Sequence, residues 1–279
     1  MGLGMNDLAK QLQFYNSQEL KQKKTWYSSA ANAYNQARPR YPEKIINRVV
    51  ELTKIPRNGI ILELGCGPGN ATLSFAKQGF RMICVEPNQD FCQLAKHNCS
   101  SYDNVKIINS SFEEWELESG KFDTVLAANS FHWISPEIAY TKAAQALHKN
   151  GWLIQLWNMN TEPDYEVYQL LQPVYQNYAP HLDRYEGKET QKDIQKSLGE
   201  MIINSGKFID LLSEHLACEL TYSVDDYLTL LSTFSPYLKL EEHTRKSLFS
   251  QLREKINQDL GGKITLYYLC AFHIARNAG

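Results

Sequence analysis

The sequence predicts an α/β fold, a doubly wound and mostly parallel seven-stranded sheet, and three observations carry that reading. Apolar runs of strand length alternate with helical stretches from Ile60 to about Asn158, the rhythm of a parallel sheet with crossover helices. One run ends in alternating glycines, Ile61-Leu-Glu-Leu-Gly-Cys-Gly-Pro-Gly-Asn70. Two further β-rich runs return late in the chain, Glu214 to Ser223 and Ile264 to Ala275, separated from the rest by helical segments.

Taken in order, Tyr41 to Lys54 carries Ile45, Ile46, Val49, Val50 and Leu52 at helical spacing, with Pro42 suited to its first turn. The strands are Ile60 to Leu64, Arg81 to Glu86, Val105 to Asn109, Phe122 to Ala128 and Trp152 to Trp157. Helices over Asn70 to Lys77, Asp90 to Asn98 and Pro136 to His148 connect them, the last stopped by Lys149-Asn150-Gly151. Residues Asn158 to about Lys207 read as helical and polar with interspersed tyrosines, and Val224 to Leu231 and Glu241 to Leu260 as helices. The expected organisation is an N-terminal helical lid over 1–43, a core over 44–160, a helical cap insertion over 161–213, a core strand over 214–223, a second helical insertion over 224–262 and a final core strand over 263–279.

Composition narrows the function. The 29 basic and 31 acidic residues balance, which argues against a general nucleic-acid or membrane-surface binder. No run approaches the roughly 18 apolar residues of a spanning helix, and no N-terminal segment reads as a signal peptide; a cytoplasmic protein with no required protein partner is the expectation. The six cysteines include no C-x-x-C pair and read as reduced, packed thiols. No metal-ligand spacing, P-loop or G-x-S-x-G occurs, so no metal is expected.

The glycine run carries the chemistry. Gly65, Gly67 and Gly69 allow left-handed turns and close approach of a ligand to the backbone, and the helix after them directs free N–H groups to the same place. A dinucleotide fingerprint needs a third glycine where Asn70 stands, so the spacing leans away from NAD. Glu86 closes the second strand in Met82-Ile-Cys-Val-Glu-Pro-Asn88, placed to accept both hydroxyls of a ribose. Cys66 inside the loop reads as a small filler rather than a nucleophile.

With Glu63 ahead of the loop, the run resembles the first motif, E/D-x-G-x-G-x-G, of class I S-adenosylmethionine-dependent methyltransferases. Phe122-Asp-Thr-Val and His132-Trp133 resemble the F-D-x-V…H-W segment of the methyltransferase type 11 group and its trans-aconitate-methyltransferase-like small-molecule enzymes, and Tyr34-x-x-x-Arg38-Pro-Arg-Tyr41-Pro42 resembles the same group. The resemblance implies a Rossmann-like methyltransferase fold and the cofactor S-adenosylmethionine, with S-adenosylhomocysteine as product. It also implies a small-molecule acceptor, with carboxylate O-methylation favoured over hydroxyl or amine methylation or a non-catalytic binding module. It places Tyr34, Arg38, Glu63, Gly65, Cys66, Gly67, Gly69, Asn70, Glu86, Pro87, Asn88, Ser111, Phe112, Asn129 and Ser130 at the cofactor. Ser111 replaces the aspartate that many relatives carry, and Phe112 either packs on adenine or caps the core. Arg38 grips the methionine carboxylate or that of the acceptor. Trp133 and Tyr27 face the acceptor, and His132 serves there as base or hydrogen-bond partner, or else only packs. Lys21, Lys23 and Lys24 read as a solvated helix face.

Overall fold

The computed structural model describes residues 12–15 and 17–279. Seven strands form one sheet in the order β3-β2-β1-β4-β5-β7-β6. They are β1 (Ile60–Leu64), β2 (Arg81–Glu86), β3 (Val105–Asn109), β4 (Phe122–Ala128), β5 (Leu147–Asn158), β6 (Phe208–Ser223) and β7 (Lys263–Asn277). The first five are parallel; β7 runs antiparallel to β5 and to β6. Strand order reverses between β1 and β4, the switch point at which such sheets open a crevice at their carboxyl ends.

The helices divide between the two faces. Strand periodicity sends Leu62 and Leu64 to one face, beneath α6 (Pro136–Ala146) and α8 (Gly187–Asn204), and Ile61 to the other, beneath α3 (Glu43–Thr53), α4 (Thr72–Ala76) and α5 (Gln89–Asn98). A third apolar cluster forms the cap, where α7 (Tyr165–Tyr178), α9 (Val224–Leu231) and α11 (Glu242–Leu260) meet; α11 contributes Leu248, Leu252 and Ile256 at four-residue spacing. Ahead of the core, α1 (Leu20–Thr25) and α2 (Ala31–Ala37) reach the sheet's carboxyl end, where Asn88 donates to Ser28 at 3.0 Å and Asn98 to Asn35 at 3.0 Å. A short α10 (Ser235–Leu238) sits beside them.

Two boundaries differ from the sequence reading. Lys149-Asn150-Gly151 is not a helix stop: α6 ends at Ala146, and these residues bulge within β5, where pairing jumps from Phe122–Leu147 to Thr124–Trp152. Asn150 spends its tolerance of a left-handed backbone, φ 67°, on that bulge. Strand β6 starts six residues before Glu214 because β7 is long enough to pair with it down to Phe208.

Glu63 lies on the α4 face of β1, fully buried, and accepts a hydrogen bond from Thr72 Oγ1 at 2.6 Å. Burial pushes its carboxyl up to about 7. In the unfolded chain the same group titrates near 4.5, so the fold is penalised where Glu63 must ionise, above pH 7, and the penalty disappears as pH falls toward 4.5. Glu63→Gln should therefore raise stability at pH 8 by a few kcal/mol, roughly 3 at most, and leave it nearly unchanged at pH 5, as read from urea unfolding at the two pH values.

Candidate active site

The loops following β1 to β5 converge at the switch point and line a cleft of about 130 Å³. Gly65 takes φ 63° there, donates its N–H to Val85 O at 2.8 Å, and leaves no room for a side chain, since a Cβ would stand 2.8 Å from Ser130 Cβ. Gly67, at φ 55°, is the opposite case: a Cβ there would meet nothing within 4 Å. Its N–H donates to Glu86 Oε2 at 2.8 Å, while the Asn88 N–H donates to Glu86 Oε1 at 2.8 Å. Each oxygen of Glu86 is thereby aimed by a backbone donor and keeps a lone pair for a ligand hydroxyl. Burial pushes this carboxyl up to about 7, against the pull of the two N–H donors.

Asn88 also caps α5, accepting from Phe91 N at 3.0 Å. Asn129, held at φ 50°, accepts from Tyr41 OH and from Asn158 N at 2.7 Å each and returns a donor to Asn158 O at 3.0 Å. Ser130 donates to Leu64 O. These bonds fasten the ends of β1, β4 and β5 to one another.

Of the residues singled out in the sequence, Tyr27, Tyr34, Arg38, Gly65, Cys66, Gly67, Asn70, Glu86, Pro87, Asn88, Ser111, Phe112, Asn129, Ser130 and Trp133 all line this cleft. Glu63 and Gly69 do not. Glu63 braces α4 from beneath, and Gly69, also buried, closes the turn by donating to Cys66 O at 3.0 Å. The Cys66 thiol is pushed well up by its contact with Cys84 and by burial, which suits a filler. Ser111 spends its hydroxyl on Glu114, donating to the carboxylate at 2.9 Å and accepting its N–H at 3.2 Å. Phe112 stacks on Trp115 with centroids 6.2 Å apart.

Lys23 is not a solvated charge: it is nearly buried, donates to Trp133 O and lies 3.6 Å from Glu113, at the rim of the cleft. Tyr41, in the quoted Arg-Pro-Arg-Tyr-Pro run, lines the cleft without having been assigned to it. Met159, Thr161 and Phe234 do so too, but no local pattern marks them.

A second, larger cavity of about 480 Å³ adjoins the cleft. The two share nine residues, Tyr27, Tyr34, Arg38, Asn129, Trp133 and Phe234 among them. Arg38 stands at this junction with Nε on Thr233 Oγ1 and one Nη on Thr233 O, both at 2.8 Å, and with its plane over the Phe234 ring at 3.9 Å. Those contacts fix the guanidinium and leave Nη1 without a partner among the described residues. His132 does not line the cleft; it lines the outer cavity, between Trp157 and Tyr15. Burial alone pushes its imidazole down to about 4, so it is neutral at pH 7. The far wall holds Glu162, Glu186 and Arg184; burial and the Glu186 charge push Glu162 up to about 8.

Residues 61–151 match a family model described as a methyltransferase domain. A Schizosaccharomyces pombe protein, an uncharacterized methyltransferase-like sequence, is 27% identical over 241 residues, which cover 83% of this chain and 85% of its own. An uncharacterized methyltransferase of Mycobacterium tuberculosis is 26% identical over 194 residues, 69% of this chain and 77% of its own. Among solved structures, a protein of Anaeromyxobacter dehalogenans that carries the name of a type II methyltransferase superposes with TM-score 0.64 at 20% identity, covering 86% of this chain and 97% of that one. Phosphoethanolamine N-methyltransferase 2 of Haemonchus contortus, solved with phosphomonomethylethanolamine and S-adenosylhomocysteine, gives TM-score 0.54 at 14% identity, covering 93% of this chain and 59% of that one. At those identities the structural likeness speaks for the fold.

The residues at the cleft fit S-adenosylmethionine. Gly67 opens space for a ligand against the backbone, Glu86 offers two aimed oxygens, and Asn70 Oδ1 is buried at the cleft without a partner among the described residues. The two glycines separate folding from binding. Gly65→Ala should lose about 2 to 3 kcal/mol of stability through clash and strain, whereas Gly67→Ala should lose only about 1 kcal/mol but at least roughly tenfold in cofactor affinity, as read by thermal unfolding and calorimetry. Sequence relatives, domain match, fold and cleft chemistry agree: residues 61–151 match a methyltransferase domain, and together they support a class I S-adenosylmethionine-dependent methyltransferase with S-adenosylmethionine as its cofactor.

Proposed function

We propose that the protein methylates a carboxylate oxygen of a small organic acid held in the outer cavity. The observation that carries this reading is Arg38, anchored by Thr233 at the junction of the two cavities with a free guanidinium edge. A guanidinium so placed is a partner for a carboxylate. Burial makes the His132 imidazole a weak base, and an acid acceptor needs none because it is ionised at neutral pH.

When bound, the cofactor supplies a methyl group on a sulfonium that is itself a good leaving group. What is left to the chain is alignment and exclusion of water. Tyr27 and Trp133 wall the junction, their rings 5.7 Å apart, and Tyr27 is locked by stacking on Phe91 and by a 3.1 Å hydrogen bond to Ser235. Trp157, Leu171, Leu198 and Phe234 line an apolar body for the acceptor, and the volume falls within the ~300–1,000 Å³ usual for small molecules.

A second reading, amine methylation, draws support from Glu162 and Glu186 on the far wall beside Tyr168 and Tyr175, a setting that also suits an ammonium group. The product separates the two. With methyl-labelled cofactor and a panel of organic acids and amines, the acid reading predicts label released as methanol by mild alkali; alkali-stable label on an amine contradicts it. Arg38→Met should raise the acceptor KM roughly 10- to 100-fold, the weight of a charge-assisted hydrogen bond, with a much smaller change in S-adenosylhomocysteine affinity.

A further inference from the structure

His132 borders two spaces. Besides the outer cavity it lines a small adjoining chamber of about 20 Å³, together with Phe131, Tyr140, Gln155, Trp157 and Leu198. A space of that size holds one water molecule. Three buried polar atoms belonging to its lining residues have no hydrogen-bond partner among the described residues: His132 Nδ1, Trp157 Nε1 and Gln155 Nε2. Leaving a buried polar group unsatisfied costs about 1 to 3 kcal/mol each. The His132 and Trp157 rings lie 5.6 Å apart, centroid to centroid, at an interplanar angle of 36°, side by side along this chamber.

We propose that this chamber binds one structural water, which accepts hydrogen bonds from Trp157 Nε1–H and Gln155 Nε2–H and donates one to His132 Nδ1. The assignment follows from capacity. Indole nitrogen and amide NH2 only donate, and a water accepts two hydrogen bonds. With both of its lone pairs engaged, the water has only hydrogens to offer His132, so Nδ1 must be bare and the ring proton must sit on Nε2. Trp157 and Gln155 thus act as positioning residues for the imidazole.

The consequence reaches the acceptor. A neutral imidazole that carries its proton on Nε2, with Nδ1 engaged by the water, has only a donor left to offer the outer cavity and cannot take a proton there. It selects an acceptor atom that is already a lone-pair oxygen and rejects a hydroxyl that must first be deprotonated. This consequence rests on the acid reading proposed above; the tautomer does not.

The test is nitrogen-15 NMR on histidine-labelled protein at pH 7, using long-range proton–nitrogen correlations of the His132 ring, assigned by the signals lost in His132→Gln. The expected result is a bare, hydrogen-bonded Nδ1 and a protonated Nε2. A protonated Nδ1 or an imidazolium overturns the proposal. In Trp157→Phe, which removes one donor, the ring should show a mixture of tautomers while S-adenosylhomocysteine affinity is retained; an unchanged tautomer in that folded variant contradicts the water's role. A bare Nδ1 with an alkali-stable methyl product supports the tautomer and overturns only the acid reading. A protonated Nδ1 with an ester product does the reverse.

Discussion

The Asn129 side chain is the fastening on which the site depends. It sits at the end of β4 in a left-handed backbone, φ 50°, and its amide serves three groups at once: the Tyr41 hydroxyl and both backbone polar groups of Asn158. A left-handed conformation is tolerated by asparagine better than by other side chains. Here it turns the amide toward the next strand rather than along its own. With Ser130 tied to Leu64 O, the ends of three adjacent strands and the segment before α3 are held in one arrangement. The glycine turn packs directly on it, Gly65 lying so close to Ser130 that a Cβ would stand 2.8 Å from the serine Cβ. Loops at a sheet's carboxyl end are the mobile part of such folds, and this side chain gives them a common anchor.

Much of the cleft could be read from the sequence because its residues sit within a few positions of strand ends. Period-two alternation locates the strands, and the strand ends locate Gly65, Gly67, Glu86, Asn88, Asn129 and Ser130. The same alternation explains why Glu63 does not line the cleft. It stands two residues before the first glycine, but its side chain belongs to the α4 face of β1, where it meets Thr72 rather than the cleft. Thr161 and Phe234 had no local signal, because only the path of the chain after β5 and after α9 brings them to the junction. Lys23 had a misleading one: in a run of three lysines nothing in the sequence reveals that Glu113 and the Trp133 carbonyl meet it.

Fold and cofactor follow from the shared core, whereas acceptor choice lies with the segments that leave it. The outer cavity is walled by residues from the N-terminal segment, the loop after β5, α7, α9 and α10, which meet only in the folded chain. Its lining carries both signs, with Arg184 and Lys239 as well as Glu186. His132 is held neutral and Glu162 is pushed toward its protonated form, while Arg38, fixed by Thr233 and stacked on Phe234, stands where the cleft and the outer cavity join. That distribution favours binding an anion in the correct place over moving a proton, and alignment is what methyl transfer to a carboxylate requires.

The most direct measurement is a calorimetric titration of the purified protein with S-adenosylhomocysteine, comparing the wild type with Asn129→Ala. The account predicts one-to-one binding by the wild type, on the order of micromolar, and an affinity at least roughly tenfold weaker in a variant that still unfolds cooperatively. Failure of the wild type to bind, or undiminished binding once the Asn129 fastening is removed, would contradict it.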